Sequence, residues 1–271
     1  MFQLFQRRRR TQVPALFIVG AQKCGTTSLW YQLSQHPEIR TARDPETGEV
    51  IKELGFFAGA RRQDEGRSTD EQRALFESYF EGDAGPRMDA TPEYLTHLDQ
   101  HSVISEAYPD AQILISLRNP VERAFSHYNH FMQMLPEAAG WDWMAPGESF
   151  ARNVELELQN HDPSNPSSRG LVSRGHYALQ VRNLLRHYPR EQVRVVIMER
   201  WSRNPRALHY KLERELGIQR KRLSKSTRHR RPKTVDPMDP ETRARLYAHF
   251  RSYNKDLEDL LGERIPEWQE A

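Results

Sequence analysis

The sequence predicts a three-layer α/β/α protein around a central, mostly parallel sheet. Two observations lead there. Short apolar runs alternate with segments of helical period along most of the chain, the pattern of strands joined by crossover helices. Twice an apolar run passes through a polar turn directly into a helix, and open parallel sheets gather ligands at such turns, outside the carboxyl ends of the strands. The 271 residues suffice for one large domain of this class. Residues 1–14 read as a basic tail and residues 15–271 as a single domain.

In chain order, Leu16 to Val19 is a short buried strand. Thr26 to Gln35 is a helix with Leu29, Trp30 and Leu33 on one face, stopped by His36-Pro37. Thr41 to Glu49 is polar and turn-rich. Arg67 to Phe80 has a helical period behind a Ser/Thr/Asp start, and Arg87 to Leu95 reads as a short strand and a Pro-led turn. Ile113 to Leu117 is the second clear buried strand. Asn119-Pro120 marks its turn, with proline near the first helical position, and the helix runs to about Met134. Pro136 to Gly170 is mostly irregular, with a helical patch over Phe150 to Leu158. Tyr177 to His187 is helical, Gln192 to Glu199 a strand and Pro205 to Leu216 a helix. Glu241 to Leu261 closes the chain as one helix or two.

Composition narrows the function classes. Cys24 is the sole cysteine, so no intramolecular disulfide can form, which points to a reducing compartment, most simply the cytoplasm. No apolar run approaches the roughly 20 residues that span a bilayer. The opening MFQLFQRRRR is too short in its apolar part for a signal peptide and reads as a solvated tail. Net charge is only +3. The stretch Arg220 to Lys233 is strongly basic and holds no acid, which suits nucleic acid or a single polyanionic small ligand.

The first strand-to-helix turn, Gly20 to Ser28, is P-loop-like without being a Walker A loop. The spacing of Gly20 and Gly25 is right, but Thr26 holds the lysine position and the lysine is Lys23, three residues earlier. A glycine turn opening a helix aims free N–H groups and the positive end of the helix dipole at one point. Thr26, Thr27 and Ser28 add hydroxyl donors and Lys23 a full charge, so the turn is an anion site. An ATP-Mg²⁺ site needs an acid at the end of a second strand. Here the second strand ends in Arg118, a cation where a metal needs carboxylate. A ligand with two separated phosphates on one nucleoside would fit both turns.

At these residues the chain resembles sulfotransferases that use 3'-phosphoadenosine 5'-phosphosulfate (PAPS), of the heparan sulfate and other carbohydrate type. VGAQKCGTTSL is similar to the family's 5'-phosphosulfate loop, and LRNPVERAFSHY to its 3'-phosphate motif. KELGFF is similar to its K-E-x-x-F-F segment. RGHYALQVRNLLRHYP with VRVVIMERW resembles the later helix and strand, and the basic loop KSTRHRRPK the one that closes over the nucleotide. The resemblance covers about Phe17 to Lys233. It implies that Lys23 faces the bridging oxygen between phosphate and sulfate. Gln22, Cys24, Gly25, Thr26, Thr27 and Ser28 would hold the 5'-phosphosulfate, and Arg118 and Ser126 the 3'-phosphate. Tyr177 would help with the 3'-phosphate or adenine, and Lys225, Ser226, Thr227, Arg228 and His229 would close over the nucleotide. No metal is then required, and 3',5'-ADP is the product.

On the acceptor side the resemblance implies Glu53 as the catalytic base, with Lys52 steadying the sulfuryl oxygens or the acceptor. The chain departs from the family at Ala90, where a lysine usually precedes Thr-Pro, leaving Arg87 or Asp89 as candidates for part of that role. His127 and His130, with His97 nearby, are rival bases. Trp141 and Trp143 offer aromatic faces to a sugar or another flat acceptor. The expected activity is sulfuryl transfer to a hydroxyl, on a carbohydrate or glycolipid, without nucleic acid or a membrane span. The rival readings are an ATP-dependent P-loop kinase, a nucleic-acid-binding module on the basic stretch, and a nucleotide-binding protein without turnover.

Overall fold

The computed structural model describes residues 14–57, 67–82, 85–133, 147–160, 170–222 and 237–270. Six strands form its central sheet: β1 (Leu16–Gly20), β2 (Arg40–Arg43), β3 (Val50–Ile51), β4 (Arg87–Asp89), β5 (Gln112–Leu117) and β6 (Val193–Ile197). Their order is β3-β2-β4-β1-β5-β6. Every pairing is parallel except β2 with β3, an antiparallel edge in which Ala42 lies opposite Ile51.

β1 is buried along its whole length, as expected of a parallel strand covered on both faces. Its side chains alternate between two cores. Phe17 and Val19 join Ile113, Ile115 and Leu117 on one face, under helices α3 (Gln100–Ala107) and α6 (Tyr177–His187). Leu16 and Ile18 join Leu114 on the other, under α1 (Thr26–Leu33) and α8 (Pro205–Leu216). A third core packs α4 (Pro120–Gln133), α5 (Phe150–Gln159) and α9 (Pro240–Leu261) through Val121, Ala124, Val154, Leu246 and Phe250. The remaining helices are α2 (Thr69–Glu77) and the single turn α7 (Met198–Trp201).

Local chemistry sets the boundaries. Ser68 and Glu71 close a capping box on α2. Asp239 caps α9 and Gly262 ends it in the left-handed region, so Glu241 to Leu261 belongs to one helix rather than two. The structure corrects the reading of Thr41 to Glu49 as turn alone. Arg40–Arg43 is a strand, and Val50–Ile51 returns beside it after the turn. Only Ala42 of β2 is fully buried, so this edge carries no apolar alternation to read. No described helix is long and apolar enough to cross a membrane.

Candidate active site

The first turn leaves β1 at Gly20 and enters α1 at Thr26. Two of its residues are left-handed, Lys23 at φ 67° and Gly25 at φ 81°. For lysine that conformation is uncommon and strained by about 1–2 kcal/mol, a kind of strain that clusters at functional sites. The turn is held from below by polar contacts. Ser116 Oγ on β5 donates to the Cys24 carbonyl at 2.6 Å and accepts the Trp201 indole N–H at 3.0 Å. Ala21 N–H donates to the Ser116 carbonyl at 2.7 Å. The backbone N–H groups of Lys23, Gly25, Thr26, Thr27 and Ser28 meet no protein acceptor among the described residues. Backbone donors without protein acceptors at the start of a helix offer a place for an anion.

The second turn follows β5, the parallel neighbour of β1, so both turns open at the carboxyl edge of the sheet. Arg118 reaches to 3.8 Å from Glu122, one turn into α4, and its carbonyl accepts the Tyr177 hydroxyl at 3.0 Å. Asn119 caps α4 through Val121 N–H and donates its own N–H to Glu199 at 3.0 Å. Ser126 is half-buried two turns along α4.

Electrostatics tie these turns to the KELGFF segment. Burial, with Arg118 next, pushes the Lys23 ammonium below its ordinary value, while Glu53 pulls the other way and Lys52 adds to the lowering. Lys23, Arg118, Lys52 and Glu53 thus share one electrostatic neighbourhood. Glu53 is exposed and its carboxylate contacts the Lys52 ammonium. Phe56 and Phe57 sink into a cluster of edge-to-face and tilted rings with Phe17, Phe76 and Tyr108, which anchors the segment to the core. Burial keeps His127 neutral, with Arg123 adding to the effect. Burial and Lys23 lower His130, against Glu53. His97 Nδ1 lies 3.1 Å from the Glu93 carbonyl. Burial raises the Cys24 thiol to about 11, so it is not a thiolate at neutral pH.

Residues 14–160 match the sulfotransferase family. This chain belongs to that family. Among solved structures it is similar to a sulfotransferase from Alicyclobacillus acidocaldarius, with 30% identity, a TM-score of 0.70, and coverage of 95% of this chain and 99% of the other. Among curated proteins it is 27% identical to bifunctional heparan sulfate N-deacetylase/N-sulfotransferase 2 of Bos taurus over 95% of this chain and 31% of that protein. It is 26% identical to human heparan sulfate glucosamine 3-O-sulfotransferase 3B1 over 77% of this chain and 47% of that protein. The chain therefore spans about a third to a half of the length of these curated relatives.

Within this sulfotransferase the fold brings Gln22 to Ser28, Arg118, Lys52 and Glu53 together. Tyr177 stands apart from the donors. It is buried, its hydroxyl meets the Arg118 carbonyl and lies 3.6 Å from the Cys24 sulfur, so it braces the two turns from behind. Arg87 pairs with Glu77 and lines a separate cavity with Pro14, Arg73 and Tyr108. Trp141, Trp143, Lys225, Ser226, Thr227, Arg228 and His229 lie outside the described residues.

Sequence reasoning missed the supports. Arg174 donates to Gln22 Oε1 at 2.6 Å and lies 3.6 Å from Glu93. Ser116, Trp201 and Glu199 hold the two turns, as described. Asp89, read as a candidate acceptor contact, is fully buried. It accepts hydrogen bonds from Tyr94 Oη, Thr91 Oγ1 and Leu54 N–H at 2.7, 2.8 and 3.1 Å.

Burial raises the Asp89 carboxyl to about 6 from an ordinary 3.8, against the lowering effect of those hydrogen bonds. The folded state thus holds the proton more tightly. The stability this contributes is complete below about pH 4 and is lost as pH rises through about 6. Relative to Asp89→Asn, wild type should therefore lose about 2–3 kcal/mol between pH 4 and pH 8, read by urea titration across pH. A difference that stays flat with pH would show that Asp89 ionises as freely in the folded protein as in the unfolded chain.

Proposed function

We propose that this protein moves a sulfuryl group from PAPS to a hydroxyl of a carbohydrate acceptor. The observation that carries this reading is the shared neighbourhood of Lys23, Arg118 and Glu53, with Lys23 on a turn whose N–H groups lack protein acceptors. The donor set fits the group: N–H donors and an ammonium suit a 5'-phosphosulfate, and a guanidinium with a nearby serine suits a 3'-phosphate. Gln22 to Ser28 hold the first, and Arg118 and Ser126 the second. Tyr177 supports both by fixing the backbone beneath Arg118. The resemblance assigns Lys225, Ser226, Thr227, Arg228 and His229, which lie outside the described residues, to nucleotide binding.

PAPS supplies an activated sulfuryl group. Glu53 takes the proton of the attacking hydroxyl as its oxygen bonds to sulfur. Lys23 meets the charge that grows on the 5'-phosphate oxygen as the sulfur–oxygen bond breaks, and 3',5'-ADP departs. Lys52 steadies the sulfuryl oxygens. Because cations meet the developing charge, the reading needs no metal. The named acceptors of the heparan sulfate relatives favour an amino-sugar polysaccharide. The single cysteine favours the cytoplasm as the place of action.

The test is calorimetric titration with 3',5'-ADP in EDTA, with ATP and Mg²⁺ as control. Wild type should bind 3',5'-ADP, and Arg118→Ala should weaken binding about 10- to 100-fold, the worth of a charge-assisted phosphate contact. Transfer of labelled sulfate to a heparan-type polysaccharide should then fall about 10²–10⁴-fold in Glu53→Gln. Preference for ATP with Mg²⁺ would sink the proposal in favour of a kinase. Nucleotide binding with no transfer to any hydroxyl would leave a binding protein.

A further inference from the structure

Glu53 is an exposed side chain on an irregular segment, and among the described residues its carboxylate pairs with Lys52. A base so placed is located by its backbone. That backbone is tied down on both sides of Glu53 by one other segment, Asp89 to Leu95. The Lys52 carbonyl accepts from Ala90 N–H at 3.2 Å. Leu54 N–H donates to Asp89 Oδ1 at 3.1 Å, and Gly55 N–H to Thr91 Oγ1 at 3.0 Å. Phe57 N–H donates to the Tyr94 hydroxyl at 3.3 Å. Asp89 organises the set, since both Thr91 Oγ1 and Tyr94 Oη donate to its carboxylate.

The same segment also grips the phosphosulfate turn. The Leu95 Cβ sits 2.6 Å from where a Cβ on Gly20 would lie, so only glycine lets the two backbones approach so closely. Glu93 approaches Arg174, which donates to Gln22 beside Lys23. In the sheet, Asp89 lies in register with Phe17 of β1, the strand that delivers the turn.

We propose that Asp89 to Leu95 is the spacer that sets the distance between the leaving-group cation Lys23 and the base Glu53, with Asp89 as its positioning residue. The inference rests on the reading of Glu53 as base. In-line transfer requires the attacking oxygen, the sulfur and the leaving oxygen to be aligned, and a misplacement of about 1 Å lowers rates about 100-fold. Two groups on different segments keep that alignment only if one rigid element holds both. Asp89 touches neither ligand nor reacting atoms, being fully buried. Its carboxylate is held by neutral donors, Leu54 N–H, Thr91 Oγ1 and Tyr94 Oη, and burying a carboxylate in this way costs stability. Ala90 fits the same role. It is buried and contributes its backbone to Lys52, so this chain uses the position for spacing.

The experiment compares Asp89→Ala, Asp89→Asn and Thr91→Val with wild type in the full chain. It reads amide hydrogen exchange, 3',5'-ADP affinity, and kcat and KM for sulfate transfer to a heparan-type polysaccharide. Asp89→Ala should raise exchange at Leu54, Gly55 and Phe57 at least tenfold and lower kcat at least 30-fold. Its 3',5'-ADP affinity should stay within twofold, and exchange over 16–29 should be unchanged. Asp89→Asn should recover part of both losses, because its amide oxygen still accepts from Leu54 and Thr91. Should Asp89→Ala not fold, Thr91→Val, which frees the Gly55 N–H and removes one donor to Asp89, should still lower kcat with nucleotide affinity intact. Protected amides at 54–57 in Asp89→Ala, or a kcat that survives their release, would overturn the proposal. So would nucleotide affinity that falls in step with kcat, the mark of general damage. Turnover that survives Glu53→Gln would sink the base reading alone, because exchange at 54–57 judges the spacer separately.

Discussion

Replacing Lys23 with alanine is expected to slow sulfuryl transfer about 10²–10³-fold, the loss seen when one preorganised donor to a developing charge is removed. The fall should be in kcat more than in 3',5'-ADP affinity, since five backbone N–H groups of the same turn, free of protein acceptors among the described residues, remain for the proposed anion. Stability should hold, because the variant removes a half-buried charge and alanine at φ 67° is no more strained than lysine. A pH profile sharpens the test. Burial and Arg118 lower the Lys23 ammonium of the free protein from 10.5, so wild-type kcat/KM should decline on the alkaline side earlier than an ordinary lysine would dictate. That limb should vanish in Lys23→Ala. A variant with kcat within threefold of wild type would remove Lys23 from the leaving-group role.

Gly25→Ala carries the second large effect. At φ 81° a side chain is strained by about 1–2 kcal/mol. The new Cβ would also sit 2.9 Å from the Trp201 ring. Trp201 cannot retreat freely, because it is buried and its indole N–H is held by Ser116, which in turn holds the Cys24 carbonyl. The clash therefore travels into the turn whose N–H groups lack protein acceptors among the described residues. Total destabilisation should reach about 2–4 kcal/mol in urea unfolding. The affinity for 3',5'-ADP should fall at least 30-fold. Adding Trp201→Phe should restore part of the stability by opening space, and less of the affinity, because Ser116 loses the indole donor. Normal nucleotide binding by Gly25→Ala would show that the turn does not depend on this close contact.

Local signals explain which parts of the molecule were legible beforehand. β1 is an apolar run and β5 one interrupted by Ser116, and Tyr177 to His187 and Pro205 to Leu216 match their helices end to end. Their periodicity and caps are written in neighbouring residues. The edge pair Arg40–Arg43 and Val50–Ile51 escaped because its strands are half-exposed and polar, held by backbone pairing that leaves no pattern. Gln100–Ala107 escaped because it begins without a side-chain cap and its apolar face is short.

The site divides in the same way. Residues that meet an anion announce themselves, because a turn that binds phosphate needs glycine, hydroxyls and a cation close together in the chain. The glycine, hydroxyl and cation pattern of Gln22 to Ser28 and of Arg118 to Ser126 is local in this sense, and the proposed anion contacts rest on it. Residues that hold those turns in place are distant in sequence and ordinary in type. Nothing in DATPEYL says that Asp89 accepts from Leu54, 35 residues earlier, or that Arg174 reaches Gln22, 152 residues back. Ser116 under Cys24, and Trp201 against Gly25, are likewise decided only when β5 and α7 pack beneath the first turn. By itself, the sequence determined the layered α/β class and the chemistry each turn offers, since both depend on residues within one turn or one strand. The tertiary structure decided how Lys23, Arg118 and Glu53 stand relative to one another, because their spacing is set by parallel register and buried hydrogen bonds between segments that meet only in the folded chain.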